Sequence, residues 1–83
     1  MDRILVEIYL PVVDRSFDVY IPVALKLHEV EAMLAGKFKE ICDGQFVASP
    51  DVVLCDKLTG NALDINQSAL ELGLMNGSRL MLI

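Results

Sequence analysis

The stretch Ser68–Ile83, SALELGLMNGSRLMLI, decides how this chain folds. Ser68 to Leu72 predicts a brief helix or 3₁₀ turn, Asn76-Gly77 a tight reversal, and Arg79 to Ile83 a short apolar strand. Such a strand buries its side chains only by entering a sheet begun elsewhere. Arg3 to Leu10 is the mate. There Ile4, Val6, Ile8 and Leu10 alternate with Leu5, Glu7 and Tyr9, the period of a strand with one buried face. The two strands are expected side by side and parallel in the middle of the sheet, because the chain between them is long enough for the crossover that parallel pairing needs.

Working outward, Pro11 to Arg15 interrupts the first alternation and predicts a hairpin connection. Phe17, Val19 and Ile21 then face inward again, with Asp18 and Tyr20 outward, until Pro22 closes the second strand. From Leu27 the period becomes helical. Leu27, Val30, Leu34, Phe38 and Ile41 fall within an arc of about 80° at about 100° per residue, one apolar stripe on a helix predicted over Leu27–Cys42. Glu29 and Glu31 early and Lys37 and Lys39 late complement its dipole. No Ser, Thr, Asp or Asn stands at the N-cap position. Asp43-Gly44 supplies a stop. Gly36 lies opposite the stripe and weakens the helix by about 1 kcal/mol relative to alanine.

Gln45 to Pro50 predicts a loop carrying Phe46 and Val47. A third strand is expected over Val52–Cys55, then a polar turn from Asp56 to Asn61, with Ala62-Leu63 making a short strand. The whole is an α+β fold: a mixed four- to five-stranded sheet with one helix packed across one face.

At 83 residues the chain makes one domain, 1–83, and 54% hydrophobic residues supply the dense core so short a chain needs. A net charge of −5 repels phosphate backbones and anionic headgroups, so no nucleic acid is expected as partner. The start, MDRILVEIYL, lacks the pattern of a signal peptide, and no apolar run approaches the roughly 20 residues that span a bilayer. A cytoplasmic protein without direct membrane insertion is expected. Cys42 and Cys55 match neither redox nor zinc spacing and read as small, buried or half-buried hydrophobes.

No catalytic constellation stands out. His28, the only histidine, falls in the first helical turn off the apolar stripe, where a solvated side chain is expected. Asp56, Asp64 and Glu71 match no calcium-loop spacing. The chain is expected to be no enzyme and to need no metal or cofactor.

The opening hairpin, the helix and the closing pattern formed by Leu70, Leu72, Gly73, Leu74, Gly77, Leu80 and Leu82 resemble the ubiquitin-like β-grasp family over essentially the whole chain. Within that family, conjugating modifiers and sulfur carriers end in a flexible Gly-Gly tail whose carboxylate is adenylated. The sequence ends Arg79-Leu80-Met81-Leu82-Ile83, so non-covalent binding is the expectation. A modifier or sulfur carrier whose glycine tail continues past Ile83 is the alternative. The start of the first strand within a few residues of Met1, and the run Phe17-Asp-Val-Tyr-Ile-Pro ahead of Lys26-Leu-His-Glu-Val, most resemble the YukD/EsaB group. That likeness implies an accessory or regulatory protein of bacterial type VII secretion. A related unit forms the cytoplasmic domain of a membrane subunit of such systems.

A helix on one side of the sheet leaves the other face looking outward. Alternation puts Leu5, Tyr9, Val53 and Met81 there, and Val12 and Val13 in the hairpin extend it. Leu5, Tyr9, Val12, Val53 and Met81 are the expected protein-binding residues. A homo-oligomer interface, cover by the Phe46–Pro50 loop and incidental exposure are the competing readings of the same surface.

Overall fold

The computed structural model describes residues 2–41 and 53–83. In chain order the elements are β1 (Arg3–Leu10), β2 (Arg15–Pro22), α1 (Leu27–Ile41), β3 (Leu54–Asp56), α2 (Ala69–Leu72) and β4 (Arg79–Leu82). The strands form one mixed sheet in the order β2-β1-β4-β3. β1 pairs antiparallel with β2 and parallel with β4, and β3 pairs antiparallel with β4. The first and last strands therefore occupy the centre side by side, the α+β β-grasp arrangement the sequence predicts.

Alternation sets the two faces. Val6, Ile8 and Leu10 of β1, Val19 and Ile21 of β2, Leu80 and Leu82 of β4 and Leu54 of β3 are buried on the inner face. They meet Leu27, Val30, Leu34 and Phe38 of α1 in a single core. The Phe38 ring lies 5.3 Å from that of Phe17 on β2. Glu31 accepts from the Leu54 N–H of β3 at 3.0 Å, so side chains of one helix reach both edge strands.

The hairpin closes through Val13 N–H to Leu10 O and Asp14 N–H to Pro11 O. Asp14 takes a left-handed φ of 51°, which its short polar side chain tolerates. The Tyr9 hydroxyl donates to Asp14 Oδ1 at 2.6 Å. The missing N-cap of α1 is supplied from elsewhere: Leu27 N–H donates to Gln67 O at 2.9 Å and His28 N–H to Ile65 O at 3.1 Å. Two of the four donors every helix leaves unpaired at its start are thus satisfied by a loop about forty residues downstream.

Ser68 caps α2 in a full capping box. Its hydroxyl accepts from Glu71 N–H, and Glu71 Oε1 accepts from Ser68 N–H. Gly73, with φ 76°, ends the helix in the left-handed conformation. Gly77 (φ 89°) makes the reversal at Asn76-Gly77, and Asn76 Oδ1 accepts from Leu5 N–H at 2.8 Å, tying the turn to the start of β1.

Several expectations change. Ile41 is 43% exposed, because the stripe runs out at the helix end, and Ala35 is buried in its stead. Among the described residues the third strand is Leu54–Asp56, so it runs one residue past the expected end at Cys55. Ala62-Leu63 forms only an isolated bridge, Ala62 opposite Cys55, so among the described residues the sheet has four strands. Val13 packs against the core and does not extend the outer face. Cys42, the Asp43-Gly44 stop, Val52 and the Phe46–Pro50 loop lie outside the described residues. Among the described residues, no helix is long and apolar enough to cross a membrane.

Candidate protein-interaction surface

The outer face is ordered in rows across the strands. Tyr9 of β1 stands opposite Met81 of β4, and Met81 opposite Cys55 of β3. Just beyond, Val53 and Ile83 exchange both backbone bonds, at 2.6 and 2.9 Å. The register therefore joins Tyr9, Met81, Cys55, Val53 and Ile83 into one apolar area. Cys55 is buried, Tyr9, Met81 and Val53 are half-buried, and Ile83 is 55% exposed. Burial, then the nearby Glu31 carboxylate, pushes the Cys55 thiol above its ordinary pKa.

Leu5 does not belong to this area. It pairs with Tyr20 on β2, and the row between is charged. Glu7 lies opposite Arg79 and Asp18, with Arg79 Nε 3.7 Å and Lys57 Nζ 3.8 Å from its carboxylate. Two cations thus share one anion at distances longer than a hydrogen bond, and both keep donors free for a partner. The Lys57 ammonium also lies 5.0 Å from the centre of the Tyr9 ring, within cation–π range. Tyr9 is fixed from both ends, by Lys57 over its ring and Asp14 on its hydroxyl. The hydrogen bond to Asp14 chiefly, then burial and the Asp14 charge, raise its pKa. Val12 is 65% exposed at the hairpin turn, off the strand rows.

Of the five expected binding residues, Tyr9, Val53 and Met81 come together, Leu5 stands across a charged row, and Val12 lies in the turn. Sequence reasoning passed over Ile83, Arg79 and Lys57. Alternation in β4 places Ile83 and Arg79 on the Met81 face; Lys57 has no such signal, because it lies in a turn.

The carboxylates weighed as metal ligands have local partners. Asp56 accepts from Leu58 N–H at 2.8 Å and Asp64 from Asn66 N–H at 2.9 Å, both turn contacts. Glu71 holds Ser68 N–H and, at 3.2 Å, the Lys26 ammonium. These bonds, the Ser68 N–H foremost, hold the Glu71 carboxyl below its ordinary pKa. His28 is exposed.

Among the described residues, a four-stranded sheet of this order with α1 across one face has the ubiquitin-like β-grasp fold. The ubiquitin-like domain of the Mycobacterium tuberculosis type VII secretion system protein EccD1 superposes with a TM-score of 0.69 at 21% identity, over 100% of this chain and 99% of that one. The EccD5 ubiquitin-like domain from Mycobacterium xenopi gives 0.68 at 19%, over 100% and 94%. Caldiarchaeum subterraneum ubiquitin gives 0.75 at 19%, over 99% and 92%. No protein-family model matches the chain, and no curated protein does.

Proposed function

We propose that this chain is a non-catalytic ubiquitin-like interaction module, an accessory or regulatory component of a bacterial type VII secretion system of the YukD/EsaB kind, working in the cytoplasm. It binds a protein partner through the outer sheet face. The observation that carries this reading is the joined apolar area of Tyr9, Met81, Val53 and Ile83, bordered by two cations that share one carboxylate. Apolar side chains supply the affinity, and Lys57 and Arg79 orient a partner that brings its own carboxylate. The likeness to two EccD ubiquitin-like domains supports the secretion assignment. Because one of them matches end to end, it equally supports a second reading, in which this sequence is the cytoplasmic ubiquitin-like domain of a secretion subunit.

The test is affinity capture from the source bacterium with wild type, Met81→Asp and Leu5→Asp, each checked for folding by circular dichroism and for mass by size-exclusion chromatography. Secretion-system proteins should accompany wild type and be lost with Met81→Asp. If both variants keep the same partners, the outer face is not the binding surface. If Met81→Asp converts a dimer to a monomer, the face serves self-association.

A further inference from the structure

A cleft of about 380 Å³ opens between the turn that leaves β3 and the segment that leads into β4. That size lies at the small end of the roughly 300–1,000 Å³ typical of ligand clefts. The half-buried Leu74 and the buried Leu80 line it, together with Leu58 and Met75, which are 80% and 66% exposed. Local bonds hold both walls. On one side Leu58 N–H donates to Asp56 Oδ1 and Gly60 N–H to Asp56 O. On the other, Met75 N–H donates to Ser78 Oγ and Ser78 N–H to Met75 O. Two large apolar side chains are thus carried on fixed turns and left in water, an arrangement that rewards an apolar group placed between them.

The cleft adjoins the cations of the outer face. Lys57 immediately precedes Leu58, and its N–H donates to Arg79 O at 3.1 Å, while Arg79 itself lines the cleft. The Arg79 N–H lies on the same β3 side of the strand as that carbonyl and has no hydrogen-bond partner among the described residues. Beyond the cleft, the Lys57 and Arg79 side chains share the Glu7 carboxylate on the sheet face.

We infer that the cleft takes one bulky apolar side chain, leucine or phenylalanine, of a partner segment whose neighbouring acidic residue lands between Lys57 and Arg79. The inference rests on the reading of the outer face as a protein-binding surface and names what the partner carries. A small ligand seated in the cleft does not reach cations on the sheet face, whereas successive residues of a peptide do. Charge sets the order of the two groups. Asp56 lines the cleft, so a carboxylate is repelled from its interior and stays outside with the cations. Glu7 remains between those cations, which favours a singly charged carboxylate over a dianionic phosphate. The unpaired Arg79 N–H supplies a donor for a carbonyl of the segment.

The test is an amide NMR titration of the whole chain with the capped peptide Ser-Glu-Gly-Phe-Ser and with versions carrying glutamine for glutamate or alanine for phenylalanine. The parent peptide should shift the Leu58, Met75 and Arg79 amides. Loss of the phenyl ring should weaken binding about fivefold to tenfold, as for a half-buried aromatic side chain. Loss of the carboxylate should weaken it about twofold to fivefold at low salt and hardly at all near about 1 M salt. Leu58→Ser and Met75→Ser, both at exposed positions, should erase the preference for phenylalanine, and Lys57→Gln should shrink the preference for glutamate. Circular dichroism confirms that each variant is folded. No shift at millimolar peptide, equal binding of the phenylalanine and alanine versions, or a glutamine version as tight as the parent at low salt would each overturn the inference. Shifts confined to Tyr9, Met81 and Val53 would overturn it too, while leaving the outer face as the binding surface. So would a dimer by sedimentation whose cleft amides shift on dilution, because a second copy then fills the cleft. Failure of the outer-face reading shows separately, as partners retained by Met81→Asp in the capture experiment.

Discussion

Gly36 and Gly73 make a matched pair of opposite sign. A Cβ built at either meets nothing within 4 Å, so packing contributes to neither substitution and only the backbone decides. Gly36 sits within α1 with helical geometry, and replacing it by alanine reduces the freedom of the unfolded chain. Gly36→Ala should stabilise by about 1 kcal/mol. For a domain of this size that raises Tm by roughly 4–8 °C, and it moves the urea midpoint by roughly 0.5–1 M at ordinary m-values. Gly73 has φ 76° at the end of α2. Alanine there enters the left-handed region at about 1–2 kcal/mol, so Gly73→Ala should lower Tm by at least as much as the first change raises it. Paired thermal and urea melts on both variants are the assay. A Gly36→Ala protein no more stable than wild type would refute the reasoning, because it would mean that something packs against that helix face or that α1 is not helical through residue 36.

Phe38 is fully buried against Phe17, and Phe38→Ala should cost about 3–5 kcal/mol, read as a large fall in the urea midpoint. Glu71 has a folded-state pKa below its unfolded one, so its contribution is present above the unfolded value and disappears as pH falls through the folded one. Acid titration of stability should show this loss below about pH 4.3, and Glu71→Gln should flatten that part of the curve. Tyr9 should ionise above the ordinary tyrosine range, and Asp14→Asn should bring it back, followed by ultraviolet absorbance in a Tyr20→Phe background.

Local pattern sufficed wherever one strand or one turn of helix carried its own signal. The period-two rows of β1 and β2, the Leu27-to-Phe38 stripe, the brief helical turn from Ser68 to Leu72 and the Asn76-Gly77 reversal are each complete within a short stretch of chain. Backbone preference and the demand to bury one face act over that range. Tyr9, Met81 and Val53 were legible as outer-face residues for the same reason. Their grouping was not. It depends on the parallel register of β1 against β4, which sets Tyr9 beside Met81 and draws the Glu7–Arg79 row between Tyr9 and Leu5. Register is a relation between residues more than seventy positions apart, and only the packed core specifies it. The α1 start followed the same rule. Its caps are the carbonyls of Ile65 and Gln67, and a backbone carbonyl has no letter in the sequence. Within β1, β2 and β4, sequence alone determined which residues turn inward and which outward, because that is a matter of local periodicity. Tertiary structure decided which of them become neighbours, because hydrogen-bonded pairing between distant strands is settled only when the whole sheet closes on its helix.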